Sequence, residues 1–261
     1  MKHYCPNSSM NNSKSKNNRI NRLYLDCDLK INDLIKIEGQ DFIYINNVLR
    51  HKIEDKISLF NGVDGEFLSQ IENINKKNLT LKIIERTFVF KKPSNITLAF
   101  SIIKGKNLEF IAEKATELGV SRFQPLITDH SITDNFNQTR FFANVKEASE
   151  QSKRVDIPEI ISPKKIKNWL QELDFTNKII IFCNESGGIN FKEIANKNKD
   201  YNFNEIIIII GPEGGFSASE FTLINGIKQI HQISLGSQIL RSETAVIASI
   251  VLAKEFLTIN Q

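Results

Sequence analysis

Two hydrophobic patterns follow one another along the chain. From Arg22 to about Lys92 the apolar residues fall in short β-type segments, Leu23–Leu25, Lys56–Phe60, Glu66–Ile71 and Leu79–Ile84. Turns rich in Asn, Gly and Asp, such as Asn61-Gly62 and Asp64-Gly65, divide them, which predicts a small β-barrel or sandwich. Lys91-Lys92-Pro93 marks a break, and beyond it β runs alternate with helical runs of about 10–15 residues, the signature of a parallel α/β sheet. Ile96–Ile103 reads as a strand and Leu108–Leu118 as a helix, with Leu108, Ile111, Ala112, Ala115 and Leu118 on one face and Gly119 as its stop. Asn144–Gln151 reads as a further helix. Ile179–Phe182 and Ile206–Ile210 are β-branched runs without alternation, as expected of central strands covered on both faces. The last helix, Thr244–Leu257, is apolar almost all round, so it is either buried or part of a subunit contact.

Composition adds limits to this picture. With 261 residues, 41% of them hydrophobic, the chain can bury one large or two modest cores. Residues 1–21 hold Asn, Ser, Lys and Arg without an acidic residue or an apolar stretch, which predicts a flexible tail and no secretory signal; a transit peptide or a start at Met10 are the alternatives. Residues 1–92 carry 16 basic and 11 acidic side chains against 18 and 19 in residues 93–261, so the positive excess lies in the β part. That asymmetry suits a module holding a polyanion beside one doing chemistry, although several of these charges lie in the tail. The longest aliphatic run, Ile206–Ile210, falls far short of the roughly 20 residues a membrane helix needs. Cys5, Cys27 and Cys183 form no CxxC pair, which predicts a reducing, cytoplasmic setting, and His3, His51, His130 and His231 lack zinc-site spacing, so no metal is expected.

Two segments carry the chemistry. After the Ile206–Ile210 strand comes Gly211-Pro212-Glu213-Gly214-Gly215-Phe216-Ser217-Ala218-Ser219-Glu220, in which Ser217 and Glu220 form a capping box for the next helix. Three glycines at the carboxyl end of a central strand let backbone approach a ligand, or else mark a tight turn. The lysine of a GxxxxGK[ST] loop and the GxGxxG spacing are both absent, which argues against nucleotide hydrolysis. The second segment, Leu235-Gly236-Ser237-Gln238-Ile239-Leu240-Arg241-Ser242-Glu243-Thr244-Ala245, places Ile239 and Leu240 in a loop, as walls of a pocket or an interface. Arg241 precedes a helix start expected to be capped by Ser242 and would point at an anion; Glu243 either pairs with the helix dipole or takes part in catalysis.

These two segments, with Lys104-Gly105-Lys106, Leu108–Val120, Glu150–Arg154 and Ile157–Ile160, resemble the bacterial ribosomal RNA uridine-N3 methyltransferases, the RsmE-type branch of the SPOUT methyltransferases. The resemblance implies a PUA-like β-barrel over 22–92, binding RNA, followed by a trefoil-knotted α/β domain over 93–261 that binds S-adenosyl-L-methionine and pairs as a homodimer in the cytoplasm. It implies 16S ribosomal RNA, free or in the small subunit, as substrate. Carried over by position, Gly211, Gly214, Gly215, Leu235, Gly236, Ile239 and Leu240 would hold the cofactor, with Glu185 as a polar contact and the missing side chain of Gly214 leaving it room. Arg241 would steady charge on the uracil and Glu243, or a water, would accept the N3 proton. Arg22, Tyr24, Arg50, Lys104 and Arg154 would face RNA. Asn107 stands where a basic residue is common and Lys153 where glycine is common. A ribose 2′-oxygen methyltransferase of the same fold and a catalytically silent RNA-binding assembly factor are the alternative readings.

Overall fold

The computed structural model describes residues 20–91, 95–131, 133, 135–185, 187–197 and 202–259. Most of the expected tail and part of the Lys91–Pro93 break lie outside the described residues. The first sheet is built from β1 (Asn21–Tyr24), β2 (Leu34–Glu38), β3 (Lys56–Phe60), β4 (Glu66–Ile74) and β5 (Asn78–Phe88), in the order β1-β3-β4-β5-β2. Only the β1–β3 pairing is parallel. A short helix, α1 (Gly39–Ile43), runs into a π-helical turn, Tyr44–Val48, and both drop apolar residues, Phe42 and Ile45, onto the sheet's core. The β3–β4 turn closes as an Asn61 side chain accepts the Val63 and Asp64 amides. At Gly65, φ is +103°, and a Cβ would stand 2.1 Å from the Phe88 carbonyl oxygen, so only glycine fits. Strand β2 and α1 are not visible in the hydrophobic pattern, because β2 buries only Ile37.

The second sheet is parallel throughout. It comprises β6 (Ile96–Ser101), β7 (Arg122–Ile127), β8 (Glu159–Ile160), β9 (Lys164–Lys165), β10 (Lys178–Cys183), β11 (Glu205–Ile210) and β12 (Ile230–Ile233), ordered β12-β10-β11-β6-β7-β8, with β9 also on β7. The helices between them are α2 (Lys106–Glu117), α3 (Gln138–Gln151), α4 (Ile166–Glu172), α5 (Phe191–Lys197), α6 (Ala218–Asn225) and α7 (Ser242–Ile259). The unalternated isoleucines of β11 divide between two cores: Ile206, Ile208 and Ile210 join Ile111 of α2 and Ile250 of α7, while Ile207 and Ile209 join Trp169 of α4 and Ile224 of α6. Pro125, which cannot donate a ladder bond, falls where β8 pairing stops at Phe123 and β9 pairing begins at Leu126.

Among the boundaries that differ from the sequence expectation, two have a cause in local hydrogen bonding. Helix α3 starts six residues before Asn144, because the Asn137 side chain accepts the Arg140 amide and caps it there. Ser242 is the first residue of α7 rather than its cap: the Ala245 amide bonds to the Arg241 carbonyl, and the Ser242 hydroxyl is used elsewhere.

Candidate functional site

Open parallel sheets offer ligands a crevice beyond the carboxyl ends of their strands. Here the segments leaving β10, β11 and β12 enclose a cleft of about 390 Å³, within the range of small-molecule sites. Its walls come from Asn184 and Glu185 after β10, from Gly211, Pro212, Gly215 and Phe216 after β11, and from Leu235, Gly236, Gln238 and Leu240 after β12, closed below by Ser242 and Ala245 of α7.

Each wall is held by a local device. The Ser217–Glu220 capping box is formed, with the Glu220 carboxylate on the Ser217 amide at 2.9 Å and the Glu220 amide on the Ser217 hydroxyl. Gly211 lies under the Phe216 ring, where a Cβ would stand 2.8 Å from the ring edge. Phe216 in turn meets Phe182 edge-on at 5.3 Å between centroids. The Gly215 amide donates to the Pro212 carbonyl at 3.0 Å, and at its φ of +68° a Cβ would reach within 3.5 Å of Glu185 Oε1 across the cleft. The Ser242 hydroxyl donates to the Gly211 carbonyl at 2.8 Å, tying the third segment to the second. Bare backbone at Gly215 and Gly236, apolar walls at Leu235, Leu240 and Phe216, and a carboxylate at Glu185 make a donor set suited to a flat heteroaromatic group, hydroxyls and a positive centre. S-adenosylmethionine has those three parts, so the residues fit it. Burial pushes the Cys183 thiol up to about 12, so it stays protonated at neutral pH and is no nucleophile.

Of the residues expected at the cofactor, Glu185, Gly211, Gly215, Leu235, Gly236 and Leu240 line this cleft, while Gly214 and Ile239 do not. Ile239 points to solvent, 79% exposed. The space expected at Gly214 lies against His130, 3.4 Å from where a Cβ would be, and not in the cleft. Arg241 is exposed between the cleft-lining Leu240 and Ser242. Glu243, one residue further, keeps Oε2 out of solvent and without a hydrogen-bond partner among the described residues. Pro212, Gln238, Ser242 and Ala245 were not singled out by the sequence as cofactor neighbours; only their position beside Gly211, Leu240 and Arg241 in the chain could have suggested them.

The residues expected to face RNA do not form one surface. Arg22 donates to Glu66 at 2.7 Å, to the carbonyls of Ser149 and Glu150 at 3.0 and 3.1 Å, and to the Arg154 carbonyl, with its guanidinium 4.5 Å above the Phe60 ring centroid. It therefore caps the carboxyl end of α3 from β1. Arg154 does the same for α2, donating to the Thr116 and Val120 carbonyls at 2.9 and 2.7 Å while paired with Asp156. Both guanidiniums are thus engaged by helix-end carbonyls and carboxylates inside the chain. Tyr24 is half-buried, its ring edge-on to Phe60 and its amide on the Glu150 carboxylate at 3.0 Å. Arg50 is exposed, and Lys104 is exposed beside a separate cleft shared with Asn137, Arg140 and Asn144. Lys153 has a φ of +63°, the conformation that glycine adopts most readily.

Comparison with known proteins agrees with this architecture. Residues 90–254 match the family model described as an RNA methyltransferase domain, and residues 37–84 match that of an RNA methyltransferase PUA domain. The ribosomal RNA small subunit methyltransferase E of Rickettsia conorii is 38% identical over 236 residues, covering 89% of this chain and 94% of that protein. Its counterpart from Buchnera aphidicola is 34% identical over 239 residues, with the same shares covered. Among solved structures, the ribosomal RNA small subunit methyltransferase E of Neisseria gonorrhoeae, bound to S-adenosyl methionine, superposes with a TM-score of 0.81 at 25% identity, over 90% of this chain and 97% of that one. A Legionella pneumophila methyltransferase in complex with the cofactor SAM gives 0.80 at 29%, over 91% and 98%. The two sheets are accordingly a PUA-like barrel and a SPOUT-type methyltransferase fold, and the chain belongs to the RNA methyltransferase family of the ribosomal RNA small subunit methyltransferase E proteins.

Proposed function

We propose that this protein transfers a methyl group from S-adenosyl-L-methionine to N3 of a specific uridine in 16S ribosomal RNA, free or within the small subunit. The single observation that carries the reading is the three-walled cleft with bare backbone at Gly215, facing Glu185, and at Gly236. Bound there, S-adenosylmethionine supplies an electrophilic methyl group. The chain's part is to hold the donor and to manage charge on the base. Leu235, Leu240 and Phe216 exclude water from an apolar face, and Glu185 offers an acceptor to hydroxyls or a positive centre. Losing the N3 proton leaves negative charge on the uracil oxygens, and the Arg241 guanidinium is the group assigned to stabilise it. Glu243 is assigned as proton acceptor; a carboxylate oxygen buried without a donor costs about 1–3 kcal/mol, which supports a use beyond folding.

The same reading divides the chain into a tail over 1–21, an RNA-binding barrel over 22–92 that includes Arg50, and a methyltransferase domain over 93–261 in which Lys104 meets RNA phosphate. A trefoil knot in that domain is part of the same reading, with α7 packed on β11 and β6. The half-exposed Ile247 and Ala248 with exposed Val251 on one face of α7 support a homodimer. A cytoplasmic enzyme fits a chain in which no described helix is long and apolar enough to cross a membrane. Mass spectrometry of ribosomal RNA from a deletion strain tests the function: 3-methyluridine should disappear. Loss of a ribose methyl instead, or of no modification, refutes it.

A further inference from the structure

The turn after β7 lies outside the cofactor cleft but holds its glycine wall. His130 Nδ1 stands 3.0 Å from the Gly214 carbonyl oxygen and 3.1 Å from that of Gly215. Both partners are acceptors, so Nδ1 carries the proton and donates a three-centre bond to two successive peptide groups. The neighbouring residue doubles the attachment: the Asp129 amide donates to Glu220 Oε1 at 2.9 Å, and the Asp129 carboxylate accepts from the Ser217 hydroxyl. The turn itself is stiffened by the Thr128 amide on Ser131 Oγ at 2.9 Å and by the contact between the Thr128 and Ser101 hydroxyls. It therefore reaches from the end of β7 past the end of β6 to the loop that leaves β11.

From these contacts we infer that His130 is a positioning residue for the methyl donor, fixing the peptide planes of Gly214 and Gly215 from behind so that Gly215 presents its bare backbone to the cleft. Two carbonyls drawn to one side turn their peptide N–H groups to the other. The Gly215 amide is accordingly on Pro212, and the missing Cβ of Gly215 faces Glu185. The inference also bears on Gly214, whose φ is not in the left-handed region: a Cβ there would meet His130 Cβ at 3.4 Å in ordinary contact, so a side chain larger than alanine's would press on the imidazole and lift it from its acceptors. A small residue at position 214 thus leaves room for the latch, whereas glycine itself is required at Gly215 for the cleft.

The inference rests on the cofactor reading above, and its test separates the two. Calorimetric titration of the full chain with S-adenosylmethionine first asks whether the wild type binds; no binding there sinks the cofactor reading, not the latch. With binding established, His130→Ala should raise the dissociation constant roughly five- to tenfold, the size of one or two neutral hydrogen bonds. Hydrogen exchange on the chain without cofactor gives an independent readout: the Gly215 amide should exchange faster in the variant. His130→Asn places a carboxamide N–H where Nδ1 was and should restore both values to within about twofold. His130→Ala combined with Gly214→Val should be no worse than either alone, since both break one contact. Unchanged affinity and exchange in His130→Ala overturn the inference, as does a loss that the asparagine variant fails to rescue or that adds fully to that of Gly214→Val.

Discussion

Replacing Arg22 with alanine separates a structural role for this residue from an RNA-binding one. The guanidinium is 9% exposed and serves Glu66, three carbonyl oxygens and the face of Phe60. Its removal leaves the Glu66 carboxylate, 18% exposed, with the Ser58 hydroxyl as remaining donor, and strips the end of α3 of its cap. Breaking one side of such a largely buried pair costs about 3–5 kcal/mol, while the carbonyls recover part of their loss by taking up water. For a chain of this size that corresponds to a fall in melting temperature of roughly 6–20 °C. Arg22→Lys should recover less than half, because an ammonium cannot serve a carboxylate and a pair of carbonyls in one planar fork. Thermal unfolding gives the first number. The salt dependence of binding to a ribosomal RNA fragment gives the second: a structural arginine leaves the slope of log affinity against log salt unchanged, whereas an RNA-facing one lowers it by about one. A melting temperature within 2 °C of wild type together with a reduced slope would refute the capping role.

Arg241→Ala should abolish methyl transfer while cofactor affinity stays within a few-fold, because the positive charge acts on the base in the transition state; an equal loss of both would show a binding role. Gly215→Val should weaken cofactor binding at least tenfold, since it combines a φ of +68° with a side chain directed at Glu185; undiminished affinity by calorimetry would remove Gly215 from the cleft wall. Burial raises the Glu150 carboxyl above its ordinary value, against the Tyr24 amide and Lys146, which lower it. Its contribution to stability is then full below the unfolded value near 4.5 and is lost as pH rises through the higher folded value. Glu150→Gln should therefore gain stability relative to wild type between about pH 4 and pH 7, read from urea midpoints; a constant or falling difference contradicts this.

Much of the architecture is local and so is written in order along the chain. The change from short turn-bounded segments to β runs alternating with helices marks the two sheets, because period and turn chemistry act over a few residues. The isoleucines of β11 report burial on both faces, and the capping box at Ser217 and Glu220 forms as spelled. An apolar residue in a loop suggests a pocket wall, which suits Leu240 but not its neighbour Ile239, which is exposed; Leu235 and Gly236 were expected there only through the family resemblance. Strand β2 escaped because a strand with a single buried residue has no period to read. The direction of a side chain, or of the gap where one is missing, depends on what the fold brings against it from far along the chain. Gly214 turns to His130, 84 residues away, and Ser242 reaches back to Gly211, so neither role could be read from its neighbours in sequence. Arg22 and Arg154 look like cationic contacts for RNA as text, yet the tertiary structure supplies them with the carbonyl ends of α3 and α2. Composition and local pattern thus determined which elements form and where a ligand-sized bend occurs. Only the folded chain decided which charges are left for a substrate, because the unpaired carbonyls of a helix end attract an arginine as an RNA phosphate does, and they are held beside it.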